Sequence, residues 1–392
     1  MRLLVIIPDM ITDILKKGEY QPLYYNPGEF ADEVHLLLTN TDTPPLGDLQ
    51  RTVGKARLFL HNLPVREAWA SSRLSFLTSS RLKRWAQPGV ELARNIQPDL
   101  IRCHSADWNA YLAARIKKEI GIPYCVSLHI NPDTNPLHRH FPAVTAAQKR
   151  RNAFYEFLEG EGLRGADKIL PVYKPILPYL ERHGIPEDRI QVAYNILNIY
   201  HLSEKTSYEP HHPFRLVCVG RLFDLKNPDN IIKAVAAIPD TVLTIIGDGP
   251  ARPALESLTA GLGISDRVVF IPAMENDALC GFLPEQDAFV VHTEHFEINK
   301  SVLEALLTGL PVIINRREGA QVPEFEEGEF VWLVENTPEA YQKAIQIIMD
   351  NDDSREALGR KAYAHSRERW APRKTEAEYV AIYNAILGQS HG

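Results

Sequence analysis

The most constraining feature of the chain is an alternation of short apolar runs with helical stretches, which occurs twice. The runs are rich in Val, Ile and Leu and have the length of strands, and stretches such as "WNAYLAARIKKEIG" place apolar residues at helical spacing. This alternation predicts parallel sheets with crossover helices. The runs are "RLLVII", "EVHLLLT", "RLFLHNL", "DLIRCHS", "YCVSLHI", "KILPVY" and "IQVAYN" in the first half, then "FRLVCVG", "TVLTIIG", "RVVFIP", "DAFVVHT", "PVIIN" and "VWLV".

A polar, proline-bearing stretch, "SEKTSYEPHHP", separates the two series of runs. At 392 residues the chain is too long for one ordinary domain, and each half can bury a core of its own. We therefore predict an α/β protein with two doubly wound, Rossmann-like parallel-sheet domains. The predicted parts are a first domain at residues 1–203, a linker at 204–213, a second domain at 214–370, and a helix at 371–392 that packs back on the first domain.

Composition narrows the class of protein. Apolar residues make up 45% and charged residues 24%, and no apolar run reaches the roughly 18 residues of a membrane span. The opening "MRLLVIIPD" is predicted to be a core strand, too short for the apolar region of a signal peptide. The cysteines are scattered, which favours small core residues in a reducing cytoplasm over disulfides or a zinc site. They are Cys103, Cys125, Cys218 and Cys280.

Charge is unevenly distributed. The chain has a net charge of -7, yet residues 51–84 carry eight bases and the single acid Glu67. Apolar residues interleave with those bases, which suits contact with an anionic membrane surface or a phosphorylated acceptor; a solvated basic face is the other interpretation. Nucleic acid is not expected, because the overall balance is acidic and no recognition module is visible. The apolar residues are Trp69, Leu74, Phe76, Leu77, Leu82 and Trp85.

Ligands of open parallel sheets bind outside the carboxyl ends of the strands, so two such domains facing each other would enclose a cleft. The loop "RLFDLKN" after one strand run contains Arg221 and Lys226. Two cations there can hold a diphosphate, at about 1.5 to 3 kcal/mol for each charged hydrogen bond, although they could also simply decorate a loop. The next loop, "IIGDGPARPALE", lacks the third glycine of a dinucleotide fingerprint, so a Rossmann oxidoreductase is not supported.

A second loop of interest, "HTEHFEINKSVLEALLTG", passes from a strand run into a helical stretch. Ser301 and Glu304 have the spacing of a capping box, in which Glu304 would only satisfy a backbone amide. The functional interpretation is that amides at Asn299, Lys300 and Ser301 hold a phosphate at the positive end of the helix. Glu304, one turn further, would then accept hydrogen bonds from a ribose.

These motifs carry a resemblance. The series "VGRLFDLKN", "LTIIGDGPARPALESLTAGLGISDRVVFIPA" and "VLEALLTGLPVI" resembles retaining GT-B glycosyltransferases of the large nucleotide-sugar-dependent family 4 type. In the first half, "QPDLIRCHSADWNAYLAARIKKEIGIPYCVSLH" and "ADKILPVYKPILPYLERHGIPEDRIQVAYN" are similar to that family more loosely. The resemblance implies a GT-B fold, with an acceptor-side first domain and a second domain that binds a nucleotide sugar, with UDP as the nucleotide.

The resemblance also implies roles for single residues. Gly220, Arg221 and Lys226 fall on the segment that contacts the donor diphosphate, and Glu304 falls on the glutamate that usually binds the ribose. His129 falls on the histidine that faces the transferred sugar, and it ends the buried run "YCVSLH" where the cleft is expected, although strand-end histidines are often structural. By the same logic, His104 and Asp107 are weaker cleft candidates.

The chain departs from the family pattern at the sugar-binding glutamate. That residue lies eight positions before Glu304, which here is Phe296. Three interpretations remain: Glu297 takes the role in a loop one residue shorter, Glu294 reaches in from the other side, or the site is catalytically degraded. We favour Glu297, because it adjoins the presumed phosphate-binding amides. The first loop of the chain also offers only Gly18, where the family commonly has paired glycines.

A metal site is not predicted. His292 and His295 precede Glu297, but no third and fourth ligand stand at zinc spacing. The acidic "DNDD" at residues 350–353 follows a predicted surface helix, where solvation explains it. We therefore expect no metal and no cofactor beyond the nucleotide sugar itself.

The predicted function is a retaining, metal-independent transfer of a sugar from a nucleotide diphosphate sugar to a hydroxyl acceptor. The basic stretch suggests an acceptor that is lipid-linked or phosphorylated, and peripheral membrane contact through residues 51–84. Two alternatives remain from the sequence. One is a nucleotide-sugar epimerase or hydrolase on the same scaffold, and the other is a non-catalytic partner protein.

Overall fold

The chain forms two compact units. The computed structural model describes residues 1–16, 21–71, 78–134, 139–197, 202–294, 298–317 and 322–390. The first unit comprises Met1–Lys16, Tyr20–Asn198 and Thr375–Gly392, and the second consists mainly of Ile199–Lys374.

The first unit is built on a six-stranded sheet in the order β3-β2-β1-β4-β5-β6, and every pair of neighbouring strands is parallel. Its strands are β1 (Arg2–Ile7), β2 (Glu33–Leu38), β3 (Arg57–Asn62), β4 (Leu100–His104), β5 (Tyr124–Leu128) and β6 (Lys168–Pro171). Its helices are α1 (Ile11–Lys16), α2 (Leu46–Val53), α3 (Thr78–Ile96), α4 (Trp108–Ile120), α5 (Ala146–Gly165) and α6 (Leu177–Arg182).

The second unit repeats this topology with strands in the order β12-β11-β10-β7-β8-β9, again parallel throughout. Its strands are β7 (Phe214–Val219), β8 (Thr241–Ile246), β9 (Val268–Ile271), β10 (Ala288–Val291), β11 (Val312–Asn315) and β12 (Trp332–Val334). Its helices are α7 (Asp229–Ala237), α8 (Arg252–Gly261), α9 (Asn276–Phe282), α10 (Lys300–Thr308), α11 (Pro323–Glu326), α12 (Pro338–Asp350) and α13 (Asp352–Trp370), and a last helix, α14 (Pro372–Ser390), follows.

Twelve of the thirteen predicted strand runs are strands, which confirms the doubly wound α/β prediction. The exception is "IQVAYN", where Ile190 makes only an isolated parallel bridge to Ile169. Ala193 donates its amide to the carbonyl of Pro171 at 3.0 Å, as in a parallel ladder. Pro171 has no N–H to donate in return, so the ladder cannot continue and this run is not a strand.

The segment predicted as a linker, residues 204–213, packs on the second unit. Lys205 donates its amide to the carbonyl of Thr308 at 2.8 Å, and the hydroxyl of Tyr208 donates to the carbonyl of Gly309 at 2.8 Å. His211 donates its amide toward the Asp287 carboxylate. These contacts make the segment part of the second unit.

Helix α14 returns the chain to the first unit from Thr375 onward. Tyr383 packs edge-on against Phe30 with ring centroids 5.0 Å apart, and Tyr379 lies 4.8 Å from the buried guanidinium of Arg102. Apolar residues of α14 join the core beneath β1 and β2, because burying this helix face removes apolar surface from water.

Some of the apolar residues that interleave with the bases of residues 51–84 are core residues. Leu82 and Trp85, two of the apolar residues expected to face a membrane, are buried in the first unit, and the Trp85 indole donates to the carbonyl of Pro64 at 3.0 Å. Another three, Leu74, Phe76 and Leu77, lie outside the described residues. Of the three interleaved apolar residues that the structure describes, Leu82 and Trp85 therefore serve the core and Trp69 is half-buried.

The four cysteines are buried and unbonded, which confirms them as core residues. Burial raises the pKa of the Cys218 thiol to about 12, so it stays protonated at neutral pH. Among the described residues, no helix combines the length and the apolar character needed to cross a bilayer.

Candidate active site

The strand order of each sheet identifies one position at which a ligand is expected to bind. In both orders the direction of winding reverses next to the first strand, between β1 and β4 in the first unit and between β7 and β10 in the second. Open parallel sheets bind ligands outside the carboxyl ends of the strands at this switch point. In the second unit, the segments that leave this point begin at Gly220 and His292; in the first, β4 ends at His104.

The loop after β7 carries the predicted diphosphate cations. Arg221 is exposed, with its guanidinium 5.3 Å from the centre of the Phe223 ring, and Lys226 lies in a short 3-10 turn at Asp224–Lys226. The Lys226 ammonium is 3.5 Å from the side-chain oxygen of Asn299, the residue that precedes α10. Lys226 therefore lies beside the amide-bearing start of α10.

The glycines of the loop after β8 hold this cationic loop in place. Gly247 and Gly249 have φ angles of 148° and 153°, which side-chain-bearing residues rarely adopt. A Cβ on Gly249 would lie 2.8 Å from the carbonyl carbon of Leu222, and one on Gly247 would lie 2.9 Å from that of Gly220. These two glycines therefore let two backbone segments touch.

Helix α10 begins at Lys300, with Asn299 as the N-cap residue. The predicted capping box is therefore wrong, because it would require Ser301 to precede the helix. The Ser301 hydroxyl instead donates to the carbonyl of Val219, the last residue of β7, at 2.9 Å. This hydrogen bond ties the start of α10 to the strand that carries the cationic loop.

Glu304 lies in the second turn of α10 and is only 4% exposed. Its carboxylate accepts a hydrogen bond from the side-chain amide of Asn276, the first residue of α9, at 2.8 Å. Because a buried carboxylate needs hydrogen-bond donors, the Asn276 amide fixes the position of this acceptor. Nothing in the sequence marked Asn276, since it lies 28 positions away.

Glu294 is held by the strands around it. Its carboxylate accepts from the side-chain amide of Asn315 at 2.9 Å and lies 3.0 Å from His292 Nε2. Its backbone amide donates to the carbonyl of Leu225 in the cationic loop at 2.8 Å. Glu294 therefore links three parts of the second unit, while the favoured alternative, Glu297, lies outside the described residues.

In the first unit, His129 directly follows β5 and stands beside His104, with ring centroids 4.9 Å apart. His129 Nδ1 lies 3.1 Å from the side-chain oxygen of Asn195, and its carbonyl accepts from the Tyr173 hydroxyl at 2.5 Å. An amide oxygen only accepts, so Nδ1 carries the proton in this contact. Nε2 is then the nitrogen that can accept a proton or a hydrogen bond.

Asp107 plays a local role. The Ser105 hydroxyl donates to its carboxylate, and Asp107 immediately precedes α4. Asn195 was missed by sequence reasoning because it lies 66 positions from His129 and only the fold brings the two together.

One group of side chains among the described residues has the spacing of a metal site, namely Glu156, Glu159 and His183 in the first unit. Arginines already neutralise it. Arg139 pairs with Glu159, and its second contact, to Glu156, is 2.9 Å long; Arg182 reaches Glu156 at 2.7 Å. The cluster is therefore explained as a partly buried ion-pair network, in which Arg139 and Glu159 are buried and Glu156 is partly exposed.

Comparisons with known proteins match both halves of the chain. The family model "Glycosyl transferases group 1" matches residues 203–365, and "Glycosyl transferase 4-like domain" matches residues 29–195. Together the two models cover most of the chain.

Curated relatives belong to the same class. The chain is 30% identical over 175 residues, 45% of its length, to the lipopolysaccharide core biosynthesis glycosyltransferase LpsD of Rhizobium meliloti (strain 1021), and spans half of that relative. It is 25% identical over 313 residues, 76% of its length, to the N-acetyl-alpha-D-glucosaminyl L-malate synthase of Bacillus anthracis, of which it spans 77%.

A solved structure gives the same fold. Anabaena HepE, crystallised in complex with UDP, superposes with a TM-score of 0.71 at 14% identity, covering 98% of this chain and all of that one. With two matched family models and two doubly wound sheets, the chain belongs to the GT-B glycosyltransferases of the family 4 type.

Proposed function

We propose that this glycosyltransferase is a retaining enzyme that moves a sugar from a UDP-linked donor to a hydroxyl acceptor. The second unit binds the nucleotide sugar, and the first unit supplies His129 and the acceptor side. We assign the neutralisation of the diphosphate to protein cations and helix amides, without a divalent metal or another cofactor.

The observation that carries the proposal is the assembly at the switch point of the second unit. The Ser301 to Val219 hydrogen bond joins the start of α10 to β7, and Lys226 lies next to Asn299. Two cations, a helix start and the buried carboxylate of Glu304 thus share one edge of the sheet. A diphosphate suits the cations and the first helix amides, and a ribose suits a carboxylate acceptor.

The proposed reaction breaks the bond between the anomeric carbon and the diphosphate oxygen while the acceptor oxygen bonds to the same face of that carbon. The acceptor proton passes to the departing phosphate oxygen. Negative charge develops on the diphosphate during this step, and Arg221, Lys226 and the amides at Asn299, Lys300 and Ser301 stabilise it. Each of these groups stabilises the charge only if it is already in place. The close contact between two loops that Gly249 permits supports this placement.

His129 is proposed to contact a hydroxyl of the transferred sugar through Nε2. The contact with Asn195 supports this assignment, because it leaves Nε2 as the acceptor. His104 packs against the imidazole and positions it.

For the sugar carboxylate we propose Glu297, with Glu294 as the second candidate. The carboxylate of Glu294 is already engaged by Asn315 and His292, which supports a bracing role for it. A role for Glu297 would require the segment after Glu294 to present it to the donor.

The choice of donor rests on the structural neighbour in complex with UDP, and the choice of acceptor on the relative named for lipopolysaccharide core biosynthesis. We propose a lipid-linked or phosphorylated hydroxyl acceptor, reached from the cytoplasm with peripheral membrane contact. An epimerase or hydrolase on this scaffold would give product without acceptor.

The test begins with thermal unfolding in the presence of UDP, GDP and ADP. A ligand at 100 times its dissociation constant stabilises by about 2.7 kcal/mol, so UDP should raise the melting temperature and the others should not. Arg221→Ala and Lys226→Ala should each lower turnover by at least about tenfold with the fold intact, since each removes a charged hydrogen bond. Normal transfer by both variants would refute the role assigned to the two cations. Loss of turnover on addition of EDTA would refute the assignment of a metal-independent reaction.

Anomeric NMR of the product tests retention. A product with the donor's anomeric configuration supports the same-face step, and an inverted product would contradict it. Release of a changed sugar without acceptor would establish the epimerase or hydrolase alternative.

A further inference from the structure

The segment that follows His129 in the first unit presents an apolar tip to solvent. The tip consists of residues 141–144, "FPAV", just before α5. Phe141 is 68% exposed and Val144 is 76% exposed, which makes them the two most exposed large apolar side chains among the described residues. Large exposed apolar patches mark interaction sites, and two strongly exposed apolar side chains three positions apart are a candidate for one.

The chain before the tip is anchored firmly. The buried guanidinium of Arg139 forms ion pairs with Glu159 and, at 2.9 Å, with Glu156, both on α5. The backbone of His140 is held twice by the side chain of Asn152, which accepts from its amide at 3.2 Å and donates to its carbonyl at 2.9 Å. The chain is therefore fixed to α5 immediately before Phe141.

The chain after the tip is anchored as well. Thr145 caps α5 in a capping box, its hydroxyl accepting from the Gln148 amide at 3.2 Å while the Gln148 side chain accepts from the Thr145 amide at 2.9 Å. The same side-chain oxygen also accepts from the Val144 amide at 3.0 Å. The apolar tip thus stands between two anchors, so its exposure is imposed by the fold.

The surroundings of the tip are basic. Residues 134–155 contain no acid and four bases, of which Arg139 is buried in ion pairs and Lys149, Arg150 and Arg151 lie on the first turns of α5. Lys149 is exposed and lies one turn beyond Thr145, about 6 Å along the helix axis. Arg151 is already paired with an acid, since it contacts Glu67 at 3.3 Å.

We infer that the apolar tip and the first turns of α5 form a surface that docks on an anionic lipid membrane. Phe141 and Val144 enter the boundary between headgroups and acyl chains, and Lys149 and its basic neighbours lie at the level of the lipid phosphates. Apolar side chains flanked by bases are what such an interface binds. A second copy of this chain is a poorer occupant, because a symmetric contact would set the same cations against each other.

This surface deepens the membrane contact of the proposed function and moves it from residues 51–84 to the segment after His129. It rests on that function in one respect, the acceptor chemistry assigned to the neighbourhood of His129. A lipid-linked acceptor would then approach along the surface that carries the tip.

The test is co-sedimentation of the full chain with vesicles of phosphatidylcholine alone and of phosphatidylcholine mixed with phosphatidylglycerol. We expect binding to the mixed vesicles only, and weaker binding as salt rises, because salt screens the charges. Phe141→Ser combined with Val144→Ser should weaken binding at least about tenfold. The matched control, Leu262→Ser with Val269→Ser, alters side chains that are 40% and 50% exposed in the second unit and should bind as wild type.

The charge part of the surface is tested by Lys149→Glu, with Lys149→Arg as the charge-preserving control. Loss of one base near an anionic surface should weaken binding about fivefold or more, and the arginine variant should bind normally. Glutamate in the first turn of a helix is favourable, so the fold should not suffer.

Three results would overturn the inference. The first is that the wild-type protein fails to bind anionic vesicles, and the second is that the tip variants bind them as well as wild type does. The third result is that the only effect of the tip variants is conversion of a dimer to a monomer in sedimentation velocity. UDP-induced thermal stabilisation is measured on the same samples. Stabilisation by UDP without vesicle binding removes the lipid surface and leaves the proposed function standing. Vesicle binding without stabilisation by UDP leaves the lipid surface standing and counts against the proposed function.

Discussion

The contact between the loops after β7 and β8 makes a sharp prediction for Gly249→Ala. The new Cβ would lie 2.8 Å from the carbonyl carbon of Leu222, and φ would have to stay near 153°. Comfortable contact between carbon atoms needs about 3.5 Å, and the Leu222 carbonyl oxygen would lie closer still to the new Cβ, so the loop must shift by about 1 Å. Leu222 cannot shift alone, because it exchanges hydrogen bonds of 2.9 Å with the Asp248 carbonyl and 3.0 Å with the Ala251 amide.

The expected size of the effect follows from these constraints. Backbone strain costs of order 1 to 3 kcal/mol and overpacking about the same again, so unfolding free energy should fall by about 2 to 6 kcal/mol. A 1 Å displacement of groups next to Leu222, Arg221 among them, should lower turnover about 100-fold. The dissociation constant for UDP should rise at least about tenfold.

Gly263→Ala is the matched control for Gly249→Ala. Gly263 has a φ of 70° but no atom within 4 Å of an added Cβ, so only the left-handed strain of about 1 to 2 kcal/mol applies. Urea unfolding gives the stability of each variant, and UDP titration calorimetry at a temperature where both are folded gives affinity. A folded Gly249→Ala protein that binds UDP as tightly as the Gly263→Ala protein would refute the bracing argument.

Further predictions concern three polar contacts. Asn195→Ala should lower turnover about tenfold, and Asn195→Asp should move the acidic limb of the pH–rate profile to higher pH, because a carboxylate opposite His129 favours the imidazolium; identical profiles for wild type and both variants would exclude a role for this contact. Asn276→Ala should raise the UDP dissociation constant about threefold to tenfold by loosening Glu304, and Asn276→Asp should do more through repulsion; unchanged affinity in calorimetry would contradict this. Burial raises the pKa of Asp42, but hydrogen bonds donated by the start of α1 outweigh burial and hold this pKa below its ordinary 3.8. Stability from that carboxylate is therefore full above about pH 4 and lost as the pH falls through the lowered pKa; urea midpoints at pH 3 and pH 5 should diverge less for Asp42→Asn than for wild type.

The strand predictions were confirmed where the apolar pattern of a run is enough to identify it as a strand. Buried parallel strands are continuous apolar runs, so "RLLVII" or "DAFVVHT" identifies itself without its neighbours. The run ending at Asn195 failed because a ladder also depends on the facing strand, and Pro171 there has no amide to donate. The capping box failed for a similar reason, since the hydroxyl of Ser301 had a better partner in β7 than in its own helix.

The residues of the candidate site show the same difference between local patterns and contacts distant in sequence. Arg221 and Lys226 could be placed beforehand, because the loop after a strand in a doubly wound sheet lies at its carboxyl edge whatever else the chain does. Asn195, Asn276 and the bracing role of Gly249 could not, because each acts on a partner far along the chain. From the sequence, contact with a membrane surface was one interpretation for Trp85, and only packing showed that it fills the core.

The sequence by itself determined two doubly wound sheets, the loops that hold charge, and the family resemblance, because periodicity and strand ends are local properties. Tertiary structure alone decided which side chains orient the candidate residues, which apolar residues are core, and which stand exposed. The "FPAV" tip illustrates the difference: four apolar residues usually signify burial, and here the anchors at Arg139 and Thr145 hold them out in solvent. Exposure depends on what the rest of the fold leaves uncovered, and that is a property of the assembled chain.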